Sequence, residues 1–266
     1  MNTNSQTGIF HWFGYLLPPA ERIALLKAAG FSTVMLWWGD EFREIDGPKE
    51  DLAAQYRKAG QEIANGHVPY GSANDLWRDN LDGQALYERY DQCVRTAAEN
   101  GLGCLVVHPI EGKGPPPIHT VGIQRLRRLA DLAGEKGVGL AMENLAPTGH
   151  LDEIFAAIPQ KSLGFCYDSG HDMAFSIRPY EVLEKYGDRL FALHLHDNDG
   201  SGDQHFLPGQ GKVDWSRVGG LLLTAAYSGP YTLECMYPYQ EGKPAALSPE
   251  EYLHAARQSL GDTLGV

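Results

Sequence analysis

Gly139-Leu140-Ala141-Met142-Glu143-Asn144, Leu163-Gly164-Phe165-Cys166-Tyr167-Asp168 and Leu190-Phe191-Ala192-Leu193-His194-Leu195-His196-Asp197 follow one another along the chain. Each is a short apolar run that ends in a side chain able to ionise or to bind a cation. Amphipathic helical patterns at 151–158 and 179–186 fill the two intervals. Strands joined through helices must lie parallel, with right-handed crossovers. The stretch 139–197 therefore reads as part of a parallel sheet whose strands all end on the same side.

The alternation continues in both directions. Strand candidates at 9–13, 32–38, 63–70 and 104–109 precede this stretch, and one at 231–236 follows it. Pro18-Pro19-Ala20-Glu21 opens a helix that Gly30 closes. A helix over 85–100 carries Leu86, Tyr90, Val94 and Ala97 at helical spacing, and one over 123–136 carries Leu126, Leu129, Ala130 and Ala133. Further helical patterns cover 215–226 and 249–260. Eight strands alternating with helices over about 250 residues make a closed barrel. An open doubly wound sheet would carry a Gly-rich phosphate loop after its first strand, and none follows Phe13. The chain is thus read as α/β, a single (β/α)8 TIM barrel domain over 1–266, with the Gly/Pro-rich 111–117 as a long loop.

Composition narrows the function. With 22 basic against 34 acidic residues among 266, the net charge of −12 argues against nucleic acid as partner. No apolar run approaches the ~20 residues of a membrane span. The polar stretch 1–8 does not have the form of a secretory leader. Cys93, Cys104, Cys166 and Cys235 are scattered, with no Cys-x-x-Cys pair, and read as buried thiols in a reducing cytoplasm.

The polar residues at the strand ends are the informative feature. Six successive strand candidates carry His67, His108, Glu143, Asp168, His194 with His196, and Glu234 at or near their carboxyl ends. In a parallel barrel those ends meet on one face, where active sites lie. A lone strand histidine is usually a hydrogen-bonded core residue, and a lone Asp168 could simply cap the next helix. Taken together, however, buried carboxylates without compensation are costly, so the group calls for a cation. Mixed imidazole and carboxylate donors suit Mn, Fe, Co or Zn better than Ca or Mg. His171, three residues beyond Asp168, and the pair Asp203 and His205 lie close by in sequence. The loop 208–215, with Gly209 and Gly211, reads as a plain turn into a helix. Trp12, Trp37, Trp38, Trp77, Trp215 and Tyr237 crowd the same ends; a subset beside a polar site would suit the C–H face of a sugar.

These motifs, chiefly Met142-Glu143-Asn144, Cys166-Tyr167-Asp168-Ser169-Gly170-His171, Leu193-His194-Leu195-His196-Asp197-Asn198, Asp203-Gln204-His205 and Leu233-Glu234, resemble the xylose-isomerase-like TIM-barrel superfamily over nearly the whole chain. That superfamily holds sugar isomerases, ketose 3-epimerases, dehydratases and endonuclease IV. The resemblance implies one metal, Mn, Co or Zn, held by Glu143, Asp168, His194 and Glu234, with His171 contacting substrate. The arginine that epimerases carry after the strand-seven histidine is missing from Asp199-Gly200-Ser201-Gly202. The trinuclear zinc site of endonuclease IV is matched in order by His67, His108, Glu143, Asp168, His171, His194, Asp203, His205 and Glu234, which implies that more than one zinc can bind.

The expected activity is isomerisation or epimerisation of a small sugar-like substrate through a metal-stabilised enediolate. Glu143 and Glu234 would move protons on the two substrate faces. His108, His171 and His205 would hold hydroxyls, and Trp12 and Trp37 the sugar's apolar face. A zinc phosphoesterase and a dehydratase are the alternatives. The resemblance also implies a homodimer or homotetramer.

Overall fold

β1 (Thr7–Phe10), α1 (Pro19–Ala28), β2 (Thr33–Trp37), α2 (Arg43–Asp46), α3 (Lys49–Lys58) and β3 (Glu62–His67) begin the chain in a computed structural model that describes residues 5–112, 114–238 and 245–266. Lys113, in the loop expected at 111–117, and the first four residues of the polar N-terminal stretch lie outside the described residues. There follow α4 (Leu81–Glu99), β4 (Cys104–Val107), α5 (Thr120–Lys136), β5 (Gly139–Glu143) and α6 (Gly149–Ala157). The last third holds β6 (Leu163–Asp168), α7 (Ser169–Phe175), α8 (Glu181–Tyr186), β7 (Leu190–His194), α9 (Trp215–Thr224), β8 (Tyr231–Leu233) and α10 (Pro249–Leu264).

All eight strands pair in parallel, in the order β7-β6-β5-β4-β3-β2-β1-β8. A parallel bridge between Leu195 and Leu233 joins the two ends. There the Leu195 N–H donates to Thr232 O at 2.9 Å and the Glu234 N–H to Leu195 O at 3.0 Å. The fold is the expected (β/α)8 barrel. The helical stripes face the strands as their spacing requires: Leu86, Tyr90, Val94 and Ala97 of α4 and Leu126, Leu129, Ala130 and Ala133 of α5 are buried. Asn80 caps α4, and Ser248 and Glu251 form a capping box on α10.

The alternation is less strict than the sequence pattern. Helices α2 and α3 lie between β2 and β3, and α7 starts directly behind β6 because the Asp168 side chain caps it. β3, β7 and β8 also end earlier than expected, so His196 and Glu234 stand just beyond their strands, beside the Leu195–Leu233 bridge. Among the described residues no helix is long and apolar enough to cross a membrane.

Two register shifts set which side chains enter the barrel. Between β2 and β3, Val34 pairs with Ile63 but Met35 with Asn65, leaving Ala64 as an extra residue. Between β6 and β7, Phe165 pairs with Leu190 but Cys166 with Ala192, leaving Phe191 extra. Val34, Ile63, Phe165 and Leu190 pack into the layer shared with the helices, whereas Cys166 and Ala192 join Cys104, Val106 and Ala141 in a separate inner cluster. Each bulge therefore reverses the side to which the following residues point. Asn65 and His67, and likewise His194 and His196, turn inward as a result.

Candidate metal centre

Glu143, the last residue of β5, sits at the middle of the barrel mouth with its side chain fully buried. Its Oε2 lies 3.1 Å from His67 Nε2 and 3.0 Å from His108 Nε2. Its Oε1 lies 3.1 Å from His194 Nδ1 and 3.6 Å from His171 Nδ1. His194 Nδ1 is also 3.1 Å from Glu234 Oε2. One donor atom from each of Glu143, Asp168, His194 and Glu234 falls within a group whose members are all within 4.8 Å of one another. His67, Glu143 and His194 form a second such group, and His196, His205 and Glu234 a third.

Asp168 ends β6 and caps α7, its Oδ1 accepting the His171 N–H at 2.6 Å. Asn144 grips its backbone, receiving the Asp168 N–H and donating to the Asp168 carbonyl, both at 2.8 Å. His196 Nε2 lies 3.1 Å from Asp168 Oδ2, and the His196 ring stacks on His205 with centroids 4.2 Å apart. Gly170 makes room for that ring, since a Cβ there would come within 1.8 Å of it. Asp203 Oδ2 lies 3.4 Å from His171 Nε2 and 3.1 Å from His205 Nε2.

The loop that carries Asp203 and His205 is organised by Asp197, a fully buried carboxylate. Its Oδ1 accepts the N–H groups of Asn198 (2.9 Å) and Val213 (3.0 Å); its Oδ2 accepts those of Gly209 and the Trp215 indole, both at 2.9 Å. Gly211 lies so close that a Cβ would fall 2.3 Å from Asp197 Oδ1. The 208–215 segment is thus the turn expected of it.

The donor set fits a cation. His67 Nδ1 donates to Val68 O at 2.8 Å and His205 Nδ1 to Glu234 O at 2.6 Å, so a ring carrying a single proton would turn a bare Nε2 to a carboxylate oxygen. Two acceptors in contact require a proton or a metal ion between them. Protons can serve that purpose where the histidine is raised. Burial works to lower His194, but Cys166, Glu234 and Glu143 outweigh it and hold it well above its ordinary value. Burial is likewise overcome at His171 by Asp168, Asp203 and Glu143, and at His205 by Asp203 and Glu234, which bring it to about 9. At His108 burial prevails and the ring is lowered. The carboxylates respond in the opposite sense. Burial would raise them, yet His194 and His108 hold Glu143 down, His194 holds Glu234 down, and His171 and His205 hold Asp203 down.

A pH profile of the cation-free protein follows. The raised histidines stabilise the fold fully below their unfolded value of 6.5, and that contribution fades as pH climbs through about 9 for His205. The depressed glutamates contribute above 4.5 and lose their contribution as pH falls. Chelator-treated protein should therefore melt progressively lower as pH climbs from 6.5 toward 9. A melting temperature that rises from pH 6.5 to 9 would contradict this.

All nine residues expected at the centre lie on this one face and are linked through Glu143, Asp168, Asp203 and His194. Trp37 stacks on His67 at 5.6 Å between centroids, at the edge of the histidine and carboxylate group. Trp12 is one layer further out, its indole N–H donated to Asp46 at 3.0 Å and its ring under the Arg22 guanidinium. Trp38, Trp77 and Trp215 are core. The sequence reading placed His196 at a strand end without a role at the centre, and it missed two neighbours: Tyr70, stacked on His108 at 4.4 Å; and Asn65, 3.4 Å from His194 Nε2. For His196 the signal was its period-two spacing from His194.

The chain is 30% identical over 167 residues to the inosose dehydratase of Geobacillus thermodenitrificans, covering 54% of each. It thus spans about half the length of the curated relatives it matches first. Among solved structures, L-ribulose 3-epimerase superposes with a TM-score of 0.80 at 13% identity, covering 98% of this chain and 95% of that one. The zinc-bound IOLI protein superposes with a TM-score of 0.79 at 19% identity, covering 98% of both. A family model described as xylose isomerase-like TIM barrel matches residues 23–259, and with the barrel and its ring of histidines and carboxylates already in view, the chain belongs to that family.

Proposed function

We propose that this protein is a divalent-metal-dependent isomerase or epimerase of a small sugar-like substrate. The carrying observation is the convergence of Glu143, Asp168, His194 and Glu234, from four successive strand ends, within 4.8 Å. These four residues would hold a Mn, Co or Zn ion, which would supply Lewis-acid stabilisation of negative charge developing on substrate oxygens. Glu234 keeps 13% of its side chain exposed, whereas Glu143 is closed in, so Glu234 is the base that meets substrate from the open mouth. Glu143 serves the opposite face, its charge sustained by His194 and His108. His108, His171 and His205 hold hydroxyls, and Trp37 and Tyr70 present rings beside them; Trp12 closes the wall behind Phe42, 5.0 Å away. The buried free thiols of all four cysteines support a cytoplasmic setting. The acidic charge disfavours nucleic acid as partner.

Two other outcomes have observations behind them. A dehydratase begins with the same proton abstraction, and the likeness to an inosose dehydratase favours it. A zinc phosphoesterase is favoured by Glu143, whose two oxygens face separate histidine sets, as a carboxylate bridging two cations would. Elemental analysis followed by a ketose panel in deuterated water separates them. Deuterium at the carbon beside the carbonyl, with about one metal ion per chain, supports the isomerase or epimerase. Loss of water from the sugar points to the dehydratase. About three zinc ions with cleavage of an abasic-site oligonucleotide, and no exchange into any sugar, would overturn the proposal.

A further inference from the structure

Three histidines of the centre turn one ring nitrogen toward the carboxylates and donate from the other. For His67 and His205 the receiving atom is a main-chain carbonyl, Val68 O and Glu234 O. No side-chain substitution removes such an acceptor. His194 differs. Its Nδ1 lies 3.1 Å from both Glu143 Oε1 and Glu234 Oε2, while its Nε2 lies 3.4 Å from the amide oxygen of Asn65. An amide oxygen only accepts, so this contact keeps a ring proton on Nε2, and it is the Nδ1 proton, held between the two carboxylates, that a cation displaces to reach the lone pair aimed where they converge. Asn65 is 1% exposed and enters the barrel only because of the extra residue at Ala64. The Cys166 thiol also borders the ring, but sulfur is a weak acceptor.

We propose that Asn65 is a positioning residue that fixes the tautomer and orientation of His194 for cation binding, an assignment that rests on the metal-dependent reading above. Without that acceptor, the proton is drawn to Nδ1 by Glu143 and Glu234, and the lone pair turns away from the centre. An incoming cation must then reverse the tautomer and leave a buried N–H without a partner. Loss of an orienting partner of this kind weakens metal binding by about 10- to 100-fold.

The experiment uses zinc as probe, with affinity measured by chelator competition and the His194 ring read by nitrogen-15 NMR. Asn65→Leu removes the acceptor at similar size, and Asn65→Asp keeps an oxygen in place. The expected result is about 10- to 100-fold weaker zinc binding for Asn65→Leu and affinity at or above wild type for Asn65→Asp. In the zinc-loaded wild-type protein His194 should be protonated on Nε2. A folded Asn65→Leu protein binding zinc within about twofold of wild type overturns the assignment, since the expected loss is about tenfold or more. So does an Asn65→Asp protein as weak as Asn65→Leu, or a zinc-loaded wild-type ring protonated on Nδ1. If Asn65→Leu does not fold, the Asn65→Asp affinity and the wild-type NMR signature still decide. A wild-type chain that binds no divalent cation overturns the metal-dependent reading as well, so the two failures are distinguishable.

Discussion

Glu143→Gln is expected to lower turnover about a thousandfold and to weaken zinc or manganese binding to a similar extent, with the barrel intact. The substitution keeps the shape of the side chain and removes the charge on which His67, His108 and His194 converge at 3.0–3.1 Å. Breaking a buried charged pair costs about 4 kcal/mol, and at 1.36 kcal/mol per decade that is a factor of about a thousand. The amide also brings an N–H₂ group toward at least one ring nitrogen, repelling the cation that the carboxylate would attract. Calorimetric metal titration and single-turnover kinetics on the same preparation measure both effects. A folded Glu143→Gln protein with wild-type affinity and turnover would remove Glu143 from the centre altogether.

Asp197→Ala should cost about 4 kcal/mol of stability, because four donors lose their acceptor at once and each orphaned group costs at least about 1 kcal/mol. Asp197→Asn keeps one oxygen and should lose roughly half as much, about 2 kcal/mol. Urea denaturation of both variants provides the comparison. Because Asp197 folds the loop that presents Asp203 and His205, the alanine variant should also lose metal affinity before it unfolds. A stability change below about 1 kcal/mol would show that the loop finds other acceptors.

Much of this architecture was open to reading from the sequence, for a physical reason. Parallel strands end on one face, so Glu143, Asp168 and His194 at the ends of apolar runs could be assigned to a common rim without knowing any distance. Helices with a strong stripe, such as α4 and α5, fell where their periodicity put them. Helix α3 escaped because only Leu52, Ala53 and Tyr56 of its ten residues are buried, within a strongly charged segment. Register was the harder matter. Nothing in Glu62-Ile63-Ala64-Asn65-Gly66-His67 says that Ala64 stands opposite no partner, since a bulge belongs to the pairing of two strands rather than to either one. For the same reason Asn65 could not be recognised: its importance comes from His194, 129 positions away. Trp12 was grouped with Trp37 by position, and only the packing of Asp46 and Arg22 around its indole tells the two apart.

The extra residues at Ala64 and Phe191 make the composition of the barrel's interior a question of counting. Deleting either one would give an unbroken ladder in which every residue beyond it kept its partner and its side, Asn65 still opposite Met35 and Ala192 still opposite Cys166. Taking the extra residue into the ladder is what would reverse them: Asn65 and His67 would turn outward in one case, His194 and His196 in the other. No substitution among these side chains achieves as much. The centre therefore depends on two residues staying outside the ladder as much as on the identity of any single donor, and a one-step slip of either pairing would empty half of it while leaving the apolar pattern of the chain unchanged.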